Sequence, residues 1–186
     1  EAAVKALNMR GEERHYKQER FKDIFTASNW SLSHRLFCWL RLRHGERAGK
    51  IFNQLIAECG FENGLTFQQT PENFNAYPKN LPDIEYFNTS EGKWTPVWQV
   101  DASMAMVSMI CEMLVQEEGG ILYLLPALSA DWPDGKITGL RAEANRIIDL
   151  EWKAGKVVSV KVRALNPGRV KLFYNGRMEE ISAQPL

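Results

Sequence analysis

The feature that most constrains this chain is a change of period at Gly119-Gly120. Before it, apolar residues recur at intervals of three and four; after it, they alternate. A stripe of period 3.6 seats a helix and an alternation of period 2 seats a strand, so the two halves call for different layers. Ala3, Val4 and Leu7 open a short amphipathic pattern that stops at Arg10-Gly11. Ser31 precedes Leu32, Leu36, Trp39 and Leu40, a buried helix face that Gly45 is expected to end. The next stripe is Ala48, Ile51, Phe52, Leu55, Ile56 and Cys59, with Gly60 as its C-cap. Helices joined through His44-Gly45-Glu46 are expected to be antiparallel neighbours, because so short a connection permits nothing else. A further apolar helix is expected from Asp101 to Gln116.

Beyond the glycines, Ile147, Asp149 and Glu151 alternate with Ile148, Leu150 and Trp152. Val157, Val158, Val160 and Val162 follow the hairpin-type turn Ala154-Gly155, and Asn166-Pro167-Gly168 makes another turn. Asn175-Gly176, the strongest hairpin signal in the chain, joins Val170, Leu172 and Tyr174 to Met178–Ile181. The fold class expected is α+β. Antiparallel helical hairpins fill 1–118, interrupted by a long loop over 61–100 that is rich in Asn, Pro and aromatics. A small antiparallel β-sandwich-like domain or half-barrel of five or six strands fills 119–186.

Charge and composition exclude several functions. Lys plus Arg equals Asp plus Glu at 23 each, so no basic surface is in surplus to release counterions from a nucleic acid. The longest strongly apolar stretch, Ala102–Val115, is too short to span a bilayer. No signal peptide is visible, and a start at Glu-Ala-Ala-Val without Met reads as a trimmed end. Cys38, Cys59 and Cys111 lie far apart among apolar residues, which predicts three buried reduced thiols and no zinc site. The charged stretch Glu12–Lys22 reads as a solvated loop or helix face. No Ser-His-Asp set, phosphate loop or dinucleotide fingerprint occurs, and neither a metal nor a cofactor is expected.

Asp101 has two readings. An Asp ahead of Ala102, Ser103 and an apolar run is a favoured helix N-cap, stabilising by ~1 kcal/mol. It is also the carboxylate at the centre of a set of ordered blocks. These are Trp98-Gln99-Val100-Asp101, Leu124-Leu125-Pro126-Ala127-Leu128, Trp132-Pro133-Asp134-Gly135, Gly139-Leu140-Arg141-Ala142 and Asp149-Leu150-Glu151-Trp152-Lys153. Their order resembles the C-terminal part of glycoside hydrolase family 95, the inverting α-L-fucosidases and α-L-galactosidases.

That resemblance implies a bacterial, extracytoplasmic enzyme whose catalytic (α/α)6 barrel leads into a C-terminal β-domain. It places Asp101 at a helix entrance in the sugar pocket, helping an Asn to activate the attacking water. Trp30, within Asn29-Trp30-Ser31, and Trp98 become candidates to stack on a sugar, and Gln99 to read its hydroxyls. Helix-end packing is the other reading of both tryptophans. The loop aromatics are open to the same two readings, packing or carbohydrate contact.

Inversion needs two groups roughly 6.5–9.5 Å apart. Glu112 shares a helix face with Asp101 but lies ~16 Å along the axis, and Glu117 and Glu118 lie further still, where solvated carboxylates are expected. The resemblance puts the general acid Glu, the water-polarising Asn residues and an Arg-His clamp upstream of the matched segment. The chain departs from the family pattern at Asp101-Ala102-Ser103, where Asp-Gly-Asn is usual, and at Glu143-Ala144-Asn145, where Gly-Gly is usual. The expectation is a C-terminal fragment, inactive alone, whose partners are a fucosylated or related glycan and either the missing N-terminal part or a second copy. A non-catalytic carbohydrate-binding or structural domain of the same fold is the alternative.

Overall fold

The computed structural model describes residues 1–9, 29–59 and 99–186. The expectations for Glu12–Lys22, for Gly60 and for the loop as far as Trp98 lie outside these residues, as do the side chains of Trp30 and Cys59. Four helices are present among the described residues: α1 (Ala2–Met9), α2 (Asn29–Arg41), α3 (Gly45–Cys59) and α4 (Val100–Leu114). Eight strands follow: β1 (Val115–Glu118), β2 (Ile121–Leu124), β3 (Gly135–Ala142), β4 (Arg146–Lys153), β5 (Lys156–Ala164), β6 (Arg169–Tyr174), β7 (Arg177–Ser182) and β8 (Gln184–Pro185). No described helix is long and apolar enough to cross a membrane.

The chain divides into two compact units. One comprises Glu1–Cys38 with Lys50–Val107, the other Trp39–Gly49 with Ser108–Leu186. In the first, Leu32, Leu36, Ile51, Phe52, Leu55 and Ala102 are buried, as the helical stripes predicted, but Ile56 is exposed. Half-burial rather than full burial is found for the free thiol of Cys38, and for Cys111 in the second unit.

In the second unit two four-stranded sheets, β1-β2-β6-β7 and β3-β4-β5-β8, contribute to one apolar core. Leu122, Ile148, Leu150, Val162 and Leu172 are among its buried members, each fully buried aliphatic side chain stabilising by roughly 1.5–3 kcal/mol. The sheets are mixed, not wholly antiparallel as expected. β2 runs parallel to β6 through Leu122↔Leu172, and β5 runs parallel to β8 through Arg163↔Gln184. The reason is topological: the chain leaves the first sheet after β2, builds β3–β5 in the other sheet, and re-enters beside β2 in the same direction.

The switch of period also falls earlier than expected. Helix α4 stops at Leu114, and Val115–Glu118 already forms a strand paired antiparallel with β2. Gly119-Gly120, with φ of 60° and 75°, is the two-residue turn of that hairpin rather than a boundary between helix and sheet. Such turns need φ > 0 at both central positions, which explains the glycine pair. Asn175-Gly176 does the same between β6 and β7, as its sequence predicted.

Gly45 does not end α2. That helix closes with Arg43 in the left-handed region (φ 56°), with Arg43 N–H donating to Leu40 O at 2.9 Å and His44 N–H to Trp39 O at 3.0 Å. These two bonds form a Schellman cap, completed by an edge-on contact of the His44 and Trp39 rings at 5.4 Å. Gly45 instead opens α3, where Ala48 N–H donates to His44 O. Its lack of a side chain serves close approach. A Cβ there would run into the Leu128 carbonyl oxygen and lie 2.8 Å from the Ala127 carbonyl carbon.

Candidate functional site

Asp101 lies in the first turn of α4 but is not its cap. Ser103 N–H donates to Gln99 O at 3.2 Å, which makes Gln99 the N-cap residue, Val100 the first helical position and Asp101 the second. The capping expectation fails because the helix begins two residues earlier than the Asp-Ala-Ser pattern suggests. Asp101 keeps a favourable position near the positive end of the helix dipole, and its side chain is exposed. Gln99 is half-buried. Ser103 turns its hydroxyl back onto Gln99 O at 3.0 Å. Trp30 lies in the first turn of α2, and Trp98 falls outside the described residues.

The remaining blocks of the sequence pattern acquire structural jobs. Leu124–Leu128 completes the C-terminus of α4, whose last carbonyls have no partner within the helix. Leu125 N–H donates to Leu114 O at 2.7 Å and Ala127 N–H to Met113 O at 3.4 Å. The buried Gln116 side chain serves two helix ends at once, donating to Leu40 O at 2.8 Å and Glu112 O at 3.0 Å.

Trp132–Gly135 clamps the β4–β5 turn. Trp132 O accepts from the Trp152 indole at 2.9 Å, Pro133 O accepts from Gly155 N–H at 2.7 Å, and an Asp134 carboxylate oxygen accepts from Ala154 N–H at 2.6 Å. The Trp152 ring lies over Gly135, where a Cβ would sit 2.6 Å from Cη2. In the Asp149 block, the carboxylate accepts Gly139 N–H at 2.8 Å and both its oxygens meet Arg163 Nη2 at 2.9 Å. The Gly139 amide, and after it the Arg163 charge, hold the Asp149 carboxyl below the usual carboxylate range.

Of the two carboxylates expected to be solvated near Gly119, Glu118 is exposed and Glu117 is not, and both are paired. Glu117 meets Arg146 at 2.7 Å with side chains only 12% and 18% exposed, so this is an interior ion pair of the second unit. Glu118 pairs with Arg43, whose guanidinium also stacks 3.5 Å above the Tyr123 ring. Glu112 pairs with Arg41 at 2.7 Å; burial pushes its carboxyl above the usual range, and Arg41 opposes that shift. Burial likewise raises the Cys111 thiol, with the neighbouring Glu112 charge adding to it. None of these partners was visible from sequence, since each pairing spans from 29 to 75 positions.

His34 is exposed, and His44 is half-buried against Trp39. Among the described residues no group of three His, Cys, Asp or Glu side chains is gathered to hold a metal. A cleft of about 440 Å³ opens in the second unit, lined by Gly45, Glu46, Pro126, Ser129, Pro133 and Gly155 among others. It brings in neither Asp101 nor Gln99.

With one sheet ordered β1-β2-β6-β7, the other ordered β3-β4-β5-β8 and the Trp-Pro-Asp-Gly clamp between them, residues 116–184 match glycoside hydrolase family 95, C-terminal domain. The individual relatives are α-fucosidases by name. Alpha-L-fucosidase 2 of Arabidopsis thaliana is 28% identical over 154 residues, 79% of this chain and 16% of that protein. Probable alpha-fucosidase A of Aspergillus oryzae is 24% identical over 145 residues, 73% of this chain and 17% of that protein. The chain therefore spans less than a fifth of either relative's length.

Proposed function

We propose that this chain is the C-terminal portion of an inverting α-L-fucosidase-like glycoside hydrolase that acts on terminal α-L-fucosyl or α-L-galactosyl residues outside the cytoplasm. The observation that carries the reading is the family 95 match over 116–184, which begins two residues after a helix whose first turn holds an exposed Asp101. On this reading the region 1–118 belongs to an (α/α)6 barrel and 119–186 to the β-domain behind it. Asp101 orients the water that attacks the anomeric carbon, with Gln99, Trp98 and Trp30 at the rim of the sugar pocket. The general acid and the substrate clamp come from upstream, and the glycan is the partner.

The test is Asp101→Asn in the full-length protein. Loss of water activation should lower aryl α-L-fucoside turnover by ~10²–10⁴-fold. Because Gln99 and not Asp101 caps the helix, stability should change by only ~0.3–1 kcal/mol, the loss of a charge near the dipole. Unchanged turnover refutes the assignment of Asp101. The 186-residue chain alone should release no aryl aglycone.

A second reading, a non-catalytic carbohydrate-binding or structural domain, is favoured by one observation. At the position where the family pattern has an Asn amide, Ser103 spends its hydroxyl on Gln99 O, and Ala102 beside it is buried. An upstream sequence without a Glu general acid and an Arg-His clamp would select this second reading.

A further inference from the structure

Strand β5 has a neighbour along the whole of one side and along little of the other. It pairs with β4 from Lys156 to Ala164, whereas β8 covers only Arg163 and Ala164. An open strand edge offers its N–H and C=O groups to any extended chain that reaches it. The uncovered stretch over 158–162 reads Val-Ser-Val-Lys-Val, rich in the β-branched residues that favour strand pairing and free of proline. Elsewhere the edges are blunted by other means: β1 is four residues long, β3 is bulged between Ile137 and Leu140, and β7 carries Arg177, Glu179 and Glu180.

Both ends of the β5 window are closed. Lys153 and Lys156 pair across the Ala154-Gly155 turn, and Val157 comes next, opposite Trp152. Backbone groups in an antiparallel ladder turn alternately toward and away from the partner, so those of Val157 face away from β4. Asn175, on the β6–β7 turn of the other sheet, takes both of them. Its side chain accepts Val157 N–H at 3.0 Å and donates to Val157 O at 2.9 Å, imitating one residue of a neighbouring strand. At the other end lies β8, whose Pro185 has no N–H to offer a further strand.

We propose that Asn175 and β8 together keep β5 from accepting a strand, and that without them the window becomes a docking edge for β5 of a second copy. The register identifies that occupant. In an antiparallel pair centred on Val160, Val158 meets Val162 and Ser159 meets Lys161, so neither lysine opposes a like charge. The same register brings Arg163 of one copy, already paired with Gln184, opposite Val157 of the other, already bonded to Asn175. The two closures collide, and by symmetry they do so at both ends of the pair. Either closure alone therefore blocks the ladder. The inference does not depend on the hydrolase reading.

The experiment compares four forms of the 186-residue chain by sedimentation over a range of concentrations. They are the parent, Asn175→Gly, removal of residues 184–186, and the two changes combined. Glycine suits the left-handed backbone at position 175 (φ 49°), so that substitution removes the amide and leaves the turn. The combined variant should dimerise at least ~10-fold more tightly than the parent, the worth of one or two added backbone bonds, and each single variant should match the parent. Amide exchange over 158–162 should slow by ~10-fold or more in the dimer. Val158→Lys added to the combined variant should restore the monomer, because it sets a charge in the window.

Gly45→Ala separates edge pairing from loss of stability, since it lies away from β5 and should stay as monomeric as the parent. A combined variant that remains monomeric overturns the proposal. So does association that leaves exchange over 158–162 unchanged, that survives Val158→Lys, or that Gly45→Ala reproduces. A parent already dimeric through the window, or a single variant that associates as tightly as the combined one, overturns the joint action of the two closures.

Discussion

Replacing Gly45 with alanine sets two effects of opposite sign against each other. Alanine is favoured over glycine in a helix by about 1 kcal/mol, less at the first helical position, so propensity alone predicts a more stable protein. The structure predicts the reverse. The new methyl would meet the Leu128 carbonyl oxygen and lie 2.8 Å and 2.9 Å from the carbonyl carbons of Ala127 and Leu128, inside the distance that Cβ atoms keep. These are backbone atoms of a segment that caps α4 through Leu125 and Ala127, so they cannot rotate aside.

Forcing a methyl into a filled site costs ~1–3 kcal/mol, which leaves Gly45→Ala net destabilised by ~1–2 kcal/mol after the propensity gain. For a chain of this length that lowers the thermal midpoint by roughly 2–8 °C. Gly49→Ala gives the comparison, because its methyl meets the side chain of Ser129, with Cβ at 2.8 Å. Ser129→Gly should therefore rescue Gly49→Ala in a double-mutant cycle and leave Gly45→Ala unrescued. Gly168→Ala, in the connection before β6 with open space around it, shows the effect of an added methyl where no atom opposes it. A Gly45→Ala midpoint equal to or above that of the parent would refute the close approach of α3 to Ala127–Leu128.

Three further outcomes follow from the β-region. Asn175 accepts Val157 N–H at 3.0 Å and donates to Val157 O at 2.9 Å, so Asn175→Gly should lower the urea midpoint by the two bonds, ~0.5–1.5 kcal/mol each. Asn175→Asp should also lower it, since the donor to Val157 O is lost. Ala144 holds φ 55° without a glycine, so Ala144→Gly should raise stability by ~1 kcal/mol, read by the same denaturation. Asp149 has its folded pKa below the unfolded value of about 3.9, so its contribution is complete above that pH and is lost as pH falls through the folded pKa. Asp149→Asn should flatten the acid limb of a stability–pH curve while leaving any loss at neutral pH constant.

Legibility in the sequence followed the range of the interaction. The Asn175-Gly176 hairpin and the alternation of β4 were readable because turn chemistry and pleat are local. The parallel pairing of Ile121–Tyr123 with Lys171–Phe173 was not, because nothing in either strand names a partner fifty residues away. β1 was hidden because Val115 continues the apolar run of α4, and only pairing with β2 makes Val115–Glu118 a strand. Gly45 misled for a physical reason: a glycine after a helix resembles a C-cap, while Arg43 took the left-handed position and left Gly45 to close approach. At the start of α4, Asp101 and Gln99 stand in a recognisable motif, but which of them caps the helix depends on where it starts. The Arg43–Glu118 and Arg146–Glu117 pairs depend on the tertiary fold and had no local signal.

The side chain of Asn175 has a consequence for how the molecule ages. Asparagine followed by glycine is the pairing in which the next backbone nitrogen, unshielded by a side chain, most readily attacks the amide carbon and releases ammonia; asparagine is a thermolabile residue in general. Here both ends of the amide are engaged with Val157, and the attack requires the side chain to leave them and swing over Gly176. The folded chain thus shelters this Asn-Gly pair with the same two bonds that join β5 to the β6–β7 turn. Conversion of Asn175 to aspartate or isoaspartate would accumulate only in molecules where that junction has opened, leaving a covalent record of how often it does.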